Sequence, residues 1–156
     1  NHMLKINDTL PKFEIQTDSI EFKVSDYLDK NIIVFFFPRA DTSGCTAESI
    51  AFSNLQKAFD TANCIVIGIS KDNPKKQLKF REKYNLTCKL GADFENNVCE
   101  QFGVWVEKSM YGKKYMGIQR ATFLSNSSGI ITNIWPKVKV PGHAEEVLEE
   151  LRKNNP

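Results

Sequence analysis

Two runs in this chain, IIVFFF from Ile32 and CIVIGIS from Cys64, are apolar almost without interruption and rich in β-branched and aromatic residues. A strand with one wet face alternates apolar and polar residues. A continuous apolar run suits a strand covered on both faces. These runs therefore ask for a central sheet with packing on each side. Between them, from Cys45 onward, Ile50, Ala51, Leu55, Ala58 and Phe59 recur at helical spacing.

The rest of the chain fits around that unit. Phe13 to Val24 predicts a hairpin, with Phe13, Ile15, Ile20 and Phe22 as its apolar side around a Thr-Asp-Ser turn. KKQLKFREKYN from Lys75 predicts a helix with a polar face, and NNVCEQFGV from Asn96 a short one. ATFLSNSSGIITNIW from Ala121 predicts two strands joined by Asn-Ser-Ser-Gly. AEEVLEELRK predicts a final amphipathic helix, with Arg152 and Lys153 in its last turn, where they suit the helix dipole. The order is strand–helix–strand–helix, then strand–strand–helix. That order implies an α/β domain with a central mixed sheet flanked by helices, as in a thioredoxin-like fold, carrying an N-terminal β-hairpin. No repeat, low-complexity tract or linker divides it, so residues 4–154 are expected to form a single domain. Asn1-His2-Met3 resembles a vector remnant ending in the initiator methionine.

Several function classes lose support at once. The formal net charge is +2, which gives no electrostatic case for nucleic acid or an anionic membrane. No apolar run approaches the roughly 18 residues of a membrane span. No secretory signal is evident, so reduced thiols and a cytoplasmic location are expected. If His2 belongs to the remnant, His143 is the one native histidine, which argues against Cys–His and Ser–His–Asp hydrolases and against most zinc sites. The four cysteines, Cys45, Cys64, Cys88 and Cys99, form no C-x-x-C pair, which argues against a dithiol redox motif and a zinc ribbon.

Cys45 stands apart from the other three. The IIVFFF strand runs into Pro38, which lacks a backbone donor and ends the pairing. Arg39 to Gly44 form a short polar loop, with Thr42 and Ser43 as candidate helix caps and Gly44 allowing close approach. Cys45 then lies in or just before the first turn of a helix. Unpaired amides there favour a thiolate over a thiol and can hold the oxygen of a substrate. A thiolate is a nucleophile. The alternative is plain packing, because cysteine is among the most buried residue types.

PRADTSGC fits P-x-x-x-T-x-x-C at Pro38, Thr42 and Cys45. With VWVEKSMYGKKYMGIQRATF (Val104 to Phe123) and VKVPGHAEEVL near the end, it resembles the peroxiredoxins, in particular the bacterioferritin comigratory protein or peroxiredoxin Q group. The resemblance covers almost the whole chain. It implies a peroxidase that reduces hydrogen peroxide and organic hydroperoxides with no metal or organic cofactor. It implies Cys45 as the peroxidatic cysteine, oxidised to sulfenic acid. Thr42 would orient the peroxide, Pro38 would shield the thiolate, and Arg120 would hold the thiolate and polarise the peroxide. Glu48 fits the family's C-T-x-E pattern as a secondary site residue. A surface charge at Arg120, a cap at Thr42 and an acid complementing the helix start at Glu48 are the plain structural alternatives. His143 is assigned to the start of the last helix rather than to catalysis.

The pattern breaks at the second cysteine. Many members of the group carry one five residues after the first, where this chain has Ile50, or near Phe80-Arg81-Glu82, where it has none. Cys64, Cys88 and Cys99 are weak candidates for a resolving cysteine, and packing is the favoured role for each. The resemblance thus leads to a one-cysteine mechanism with an external thiol, from thioredoxin or from glutathione with glutaredoxin, acting on a monomer. A redox-sensing thioredoxin-fold protein without efficient turnover is the competing reading.

Overall fold

The computed structural model describes residues 2–154. Nine strands and five α-helices follow in the order β1 (Glu14–Thr17), β2 (Phe22–Lys23), β3 (Asn31–Phe36), α1 (Ser43–Asn54), α2 (Gln56–Thr61), β4 (Cys64–Ser70), α3 (Pro74–Tyr84), β5 (Lys89–Ala92), α4 (Val98–Phe102), β6 (Trp105–Met110), β7 (Lys113–Ile118), β8 (Ala121–Ser125), β9 (Ile131–Trp135) and α5 (His143–Asn154). Seven strands form one sheet, β2-β1-β5-β4-β3-β8-β9, and β6 and β7 form a separate hairpin. The three central strands run parallel, whereas β1 and β8 join them antiparallel. The sheet is mixed, as the order of elements implies.

The two apolar runs become β3 and β4, side by side at the centre. All six residues of β3 are buried. Its alternate side chains feed two cores: Ile32, Val34 and Phe36 enter one cluster, and Ile33, Phe35 and Phe37 the other. The first cluster is closed by the N-terminal segment and by α4 through Val98 and Phe102. The second is closed by Phe52 of α1, Phe59 of α2, Phe80 of α3 and Val147, Leu148 and Leu151 of α5. At about 25 cal/mol for each Å² of apolar surface withdrawn from water, these two layers are the main favourable term holding the sheet together.

Some sequence expectations are adjusted. The N-terminal hairpin pairs Ile15 with Phe22, but Ile20 in its turn is 83% exposed and takes no part in the apolar side. The helical stretch after Cys45 is not continuous: it breaks at Leu55, whose backbone leaves helical geometry between α1 and α2. Strand β5 and the β6–β7 hairpin are additions that the sequence pattern did not reveal. No helix among the described residues is long and apolar enough to cross a membrane.

Candidate active site

The site forms where β3 ends and β8 begins. Because β8 is antiparallel to β3, Ala121 pairs with Phe36. The loop leaving β3 and the residue entering β8 are thus brought to the same end of the sheet. That loop delivers Cys45 as the third residue of α1, and Arg120 reaches it from 75 positions away, with Nη2 donating to Cys45 Sγ at 3.3 Å. Gly44 makes room for this contact: a Cβ there would sit 3.2 Å from Arg120 Nη2. The site cysteine is fully buried.

Glu48 completes a triad in which Cys45 and Glu48 are buried and Arg120 is partly exposed. It lies one turn after Cys45, and its Oε1 accepts from Arg120 Nη1 at 2.7 Å. Its Oε2 is buried with no hydrogen-bond partner in the structure. Burial outweighs the neighbouring guanidinium and pushes the Glu48 carboxyl up to about 7. The arginine stays above its ordinary range: burial opposes this, but Cys45 and Glu48 both favour its charge.

The buried face of α1 is Cys45, Glu48, Ser49 and Phe52, at i, i+3, i+4 and i+7. Half of that face is polar. The residues that signal the helix in the sequence, Ile50, Ala51 and Leu55, are only half-buried flanks.

Thr42 occupies the N-cap position of α1 without a side-chain capping bond. Its hydroxyl instead donates to the Arg39 carbonyl at 2.8 Å, which corrects the expectation of a cap. The oxygen lone pairs remain free to accept. Pro38 lies exposed at the end of β3. His143 begins α5 and is buried, with Nε2 2.7 Å from Thr122 Oγ1 and its ring edge-on to Phe52 and Trp135. Burial, together with the charge of Arg120, holds His143 down at about 4, so it is neutral at pH 7.

Lys108 is a neighbour the sequence did not single out. Its ammonium donates to the Ile118 carbonyl, and burial and Arg120 hold it below the ordinary lysine range while Cys45 acts in the opposite direction. Only its place on the far strand of the hairpin, opposite Tyr115, brings it here. No local pattern could have revealed it.

The other three cysteines are placed elsewhere. All four are free and buried. Cys64 opens β4 opposite Asn31, at the far end of the parallel pair from the site. With about 3.3 Å per strand residue, that puts it on the order of 20 Å away. Cys88 lies beside Ser53, which is two turns and so roughly 12 Å further along α1 than Cys45. Cys99 sits in the core on the opposite face of the sheet. Burial pushes the Cys88 thiol up to about 11 and drives those of Cys64 and Cys99 higher still. A disulfide needs Cα atoms within about 7 Å, so none of the three is in reach of Cys45 in this conformation. At the alternative family position, Phe80 packs on Phe37, and Arg81 pairs with Asp18 while donating to the carbonyls of Leu86 and Cys88. Among the described residues, no three His, Cys, Asp or Glu side chains gather as a metal site.

Comparison with known proteins follows the same line. A family model described as AhpC/TSA family matches residues 6–134. A putative peroxiredoxin bcp of Coxiella burnetii is 43% identical over 149 residues, covering 95% of this chain and 99% of that protein. Peroxiredoxin Bcp of Bacillus subtilis is 39% identical over 150 residues, covering 96% of each. The bacterioferritin comigratory protein of Xanthomonas campestris, solved as trapped intermediate and ligand complexes that bear on its alkyl peroxide reduction, superimposes with a TM-score of 0.90. It is 30% identical, and the match covers 97% of this chain and 100% of that one.

Proposed function

The chain belongs to the AhpC/TSA family, as a peroxiredoxin of the bacterioferritin comigratory type and a thiol-dependent peroxidase, and from that premise we propose that Cys45 is its peroxidatic residue, acting without a resolving cysteine of its own. The observation that carries this is the 3.3 Å bond from Arg120 to a thiol in the first turn of α1. The Cys45 thiolate attacks one peroxide oxygen. The S–O bond forms as the O–O bond breaks, and the leaving oxygen takes up a proton to depart as water or an alcohol. Negative charge moves from sulfur to that oxygen. A guanidinium already in place stabilises it there without having to reorganise, an effect typically worth a factor of 10²–10³ in rate for one donor.

Thr42 supports the approach. With its hydroxyl hydrogen committed to the Arg39 carbonyl, its oxygen is set to accept the peroxide O–H and aim the peroxide at sulfur. Glu48 fixes the guanidinium plane through Nη1. The distances to Cys64, Cys88 and Cys99 favour an external thiol as the agent that reduces the sulfenic acid.

Two measurements test the reading. Cys45→Ser is expected to abolish dithiothreitol-driven peroxide loss. One equivalent of peroxide on the reduced protein is expected to add one oxygen by intact mass. Loss of two hydrogens instead, as an internal disulfide, overturns the one-cysteine mechanism. One oxidation per chain with no recycling by any thiol overturns the enzymatic role.

A further inference from the structure

We propose that Lys108 is the positioning residue for Arg120: lying back along the β6–β7 hairpin, it fixes the elbow from which the guanidinium reaches Cys45. This rests on Cys45 as the peroxidatic residue, as read above. The elbow is short. β7 ends at Ile118 and β8 begins at Ala121, so Gln119 and Arg120 alone join the hairpin to the main sheet. The hairpin is a two-stranded sheet of its own and shares no ladder with the other. Its posture therefore sets where Arg120 starts.

Three hydrogen bonds hold that elbow. The Gln119 amide donates to the Val104 carbonyl at 2.7 Å, and the Val138 amide donates to the Arg120 carbonyl at 3.0 Å. The third comes from a side chain: Lys108 Nζ donates to the Ile118 carbonyl, two residues before Arg120. The hairpin register places Lys108 opposite Tyr115, three residues short of Ile118, so its stem runs back past Gly117 to get there. Gly117 leaves the room. A Cβ at that position would sit 3.1 Å from Lys108 Cδ and 3.4 Å from Cε.

Two features separate Lys108 from an ordinary surface lysine. It is half-buried, and no carboxylate pairs with it among the described residues. Glu107, its neighbour in the chain, lies on the other face of the hairpin and is bridged to Lys114 at 3.7 Å. The charges that bear on Lys108 are those of the site, Arg120 on the elbow and Cys45 on α1. Holding a long side chain in one posture costs rotamer freedom, and placing an ammonium near a guanidinium adds repulsion. Local costs of this kind concentrate at functional sites. The return is geometric. Arg120 Nη2 lies 3.3 Å from Cys45 Sγ while Nη1 is held by Glu48 at 2.7 Å. A guanidinium helps the leaving oxygen only if it is already in place, and a misplacement of about 1 Å can cost about 10²-fold in rate.

Single-turnover oxidation of the reduced protein by excess hydrogen peroxide, followed by intact mass, gives the rate constant at Cys45. Lys108→Met is expected to lower it about tenfold. Lys108→Arg, which again offers a donor to the Ile118 carbonyl, is expected to bring it back to within about threefold of wild type. Gly117→Val keeps the charge but fills the space under the stem, and is expected to reproduce most of the loss. In an Arg120→Met background, Lys108→Met is expected to cost less than about twofold, because it acts through the arginine. Urea midpoints taken alongside show that the variants are folded. An unchanged rate in Lys108→Met or in Gly117→Val overturns the proposal. So does an equal loss with and without Arg120, or no recovery with Lys108→Arg. The reading of Cys45 fails separately: it falls if Cys45→Ser keeps thiol-driven peroxide turnover, whatever Lys108 does.

Discussion

Two buried ionisable residues next to Arg120 oppose each other in their effect on stability. Glu48 is raised to about 7 from 4.5, so the folded state holds a proton there that the unfolded chain gives up. Its contribution is fully present below pH 4.5 and is lost as pH rises through 7. His143 is lowered to about 4 from 6.5, so the unfolded chain takes up a proton that the folded state refuses. Its contribution is present above pH 6.5 and is lost as pH falls through 4. Each shift corresponds to about 3 kcal/mol, and the windows nearly coincide, so the two slopes largely offset in the wild type. Glu48→Gln is therefore expected to make stability rise with pH between about 4.5 and 6.5, and His143→Gln to make it fall. Urea midpoints across that range measure both, and parallel profiles for the two variants would refute the assignment. A family pattern in the sequence points to Cys45, Thr42, Arg120 and Glu48 as candidates, but not to this opposition. It depends on burial beside one guanidinium, which residue spacing does not encode.

Elements were legible where their chemistry matched their surroundings. CIVIGIS became β4 over the same residues, and IIVFFF falls almost wholly within β3, because strands buried on both faces leave no ambiguity. β5 is four residues, KLGA, too short to carry a period. The β6–β7 hairpin stands apart from the main sheet with mostly polar or exposed side chains, so it has no apolar face to read. Helix α1 is legible only from its flank, since its buried face, with Glu48 and Ser49, is half polar. At the centre of the sheet, Phe35 lies directly over Gly68 of β4 and stacks on Phe52 of α1, with ring centroids 4.4 Å apart. A Cβ on Gly68 would come within 2.4 Å of the Phe35 ring. Gly68→Ala is expected to cost about 2–3 kcal/mol in chemical denaturation. Phe35→Leu in the same chain is expected to recover part of that loss, which a double-mutant cycle measures.

At the scale of the whole molecule, the two cores share strands, since neighbouring residues of β3 point alternately into each. Shared strands couple the two cores, and residues 4–154 are proposed to unfold as one cooperative unit. Trp105 opens the hairpin and Trp135 ends the sheet's last strand, so fluorescence reports on two distant regions. Fluorescence and far-ultraviolet circular dichroism are expected to give one coincident urea transition. Separate midpoints would mean that the hairpin or an edge unfolds on its own. The antiparallel entry of β8 has a consequence for how the chain is made. A ribosome synthesises Cys45 and its helix long before Arg120, and the Phe36–Ala121 pairing that joins them must wait for the intervening strands. A half-finished chain therefore carries Cys45 without its Arg120 partner, and the contact between them is made only once β8 has joined the sheet.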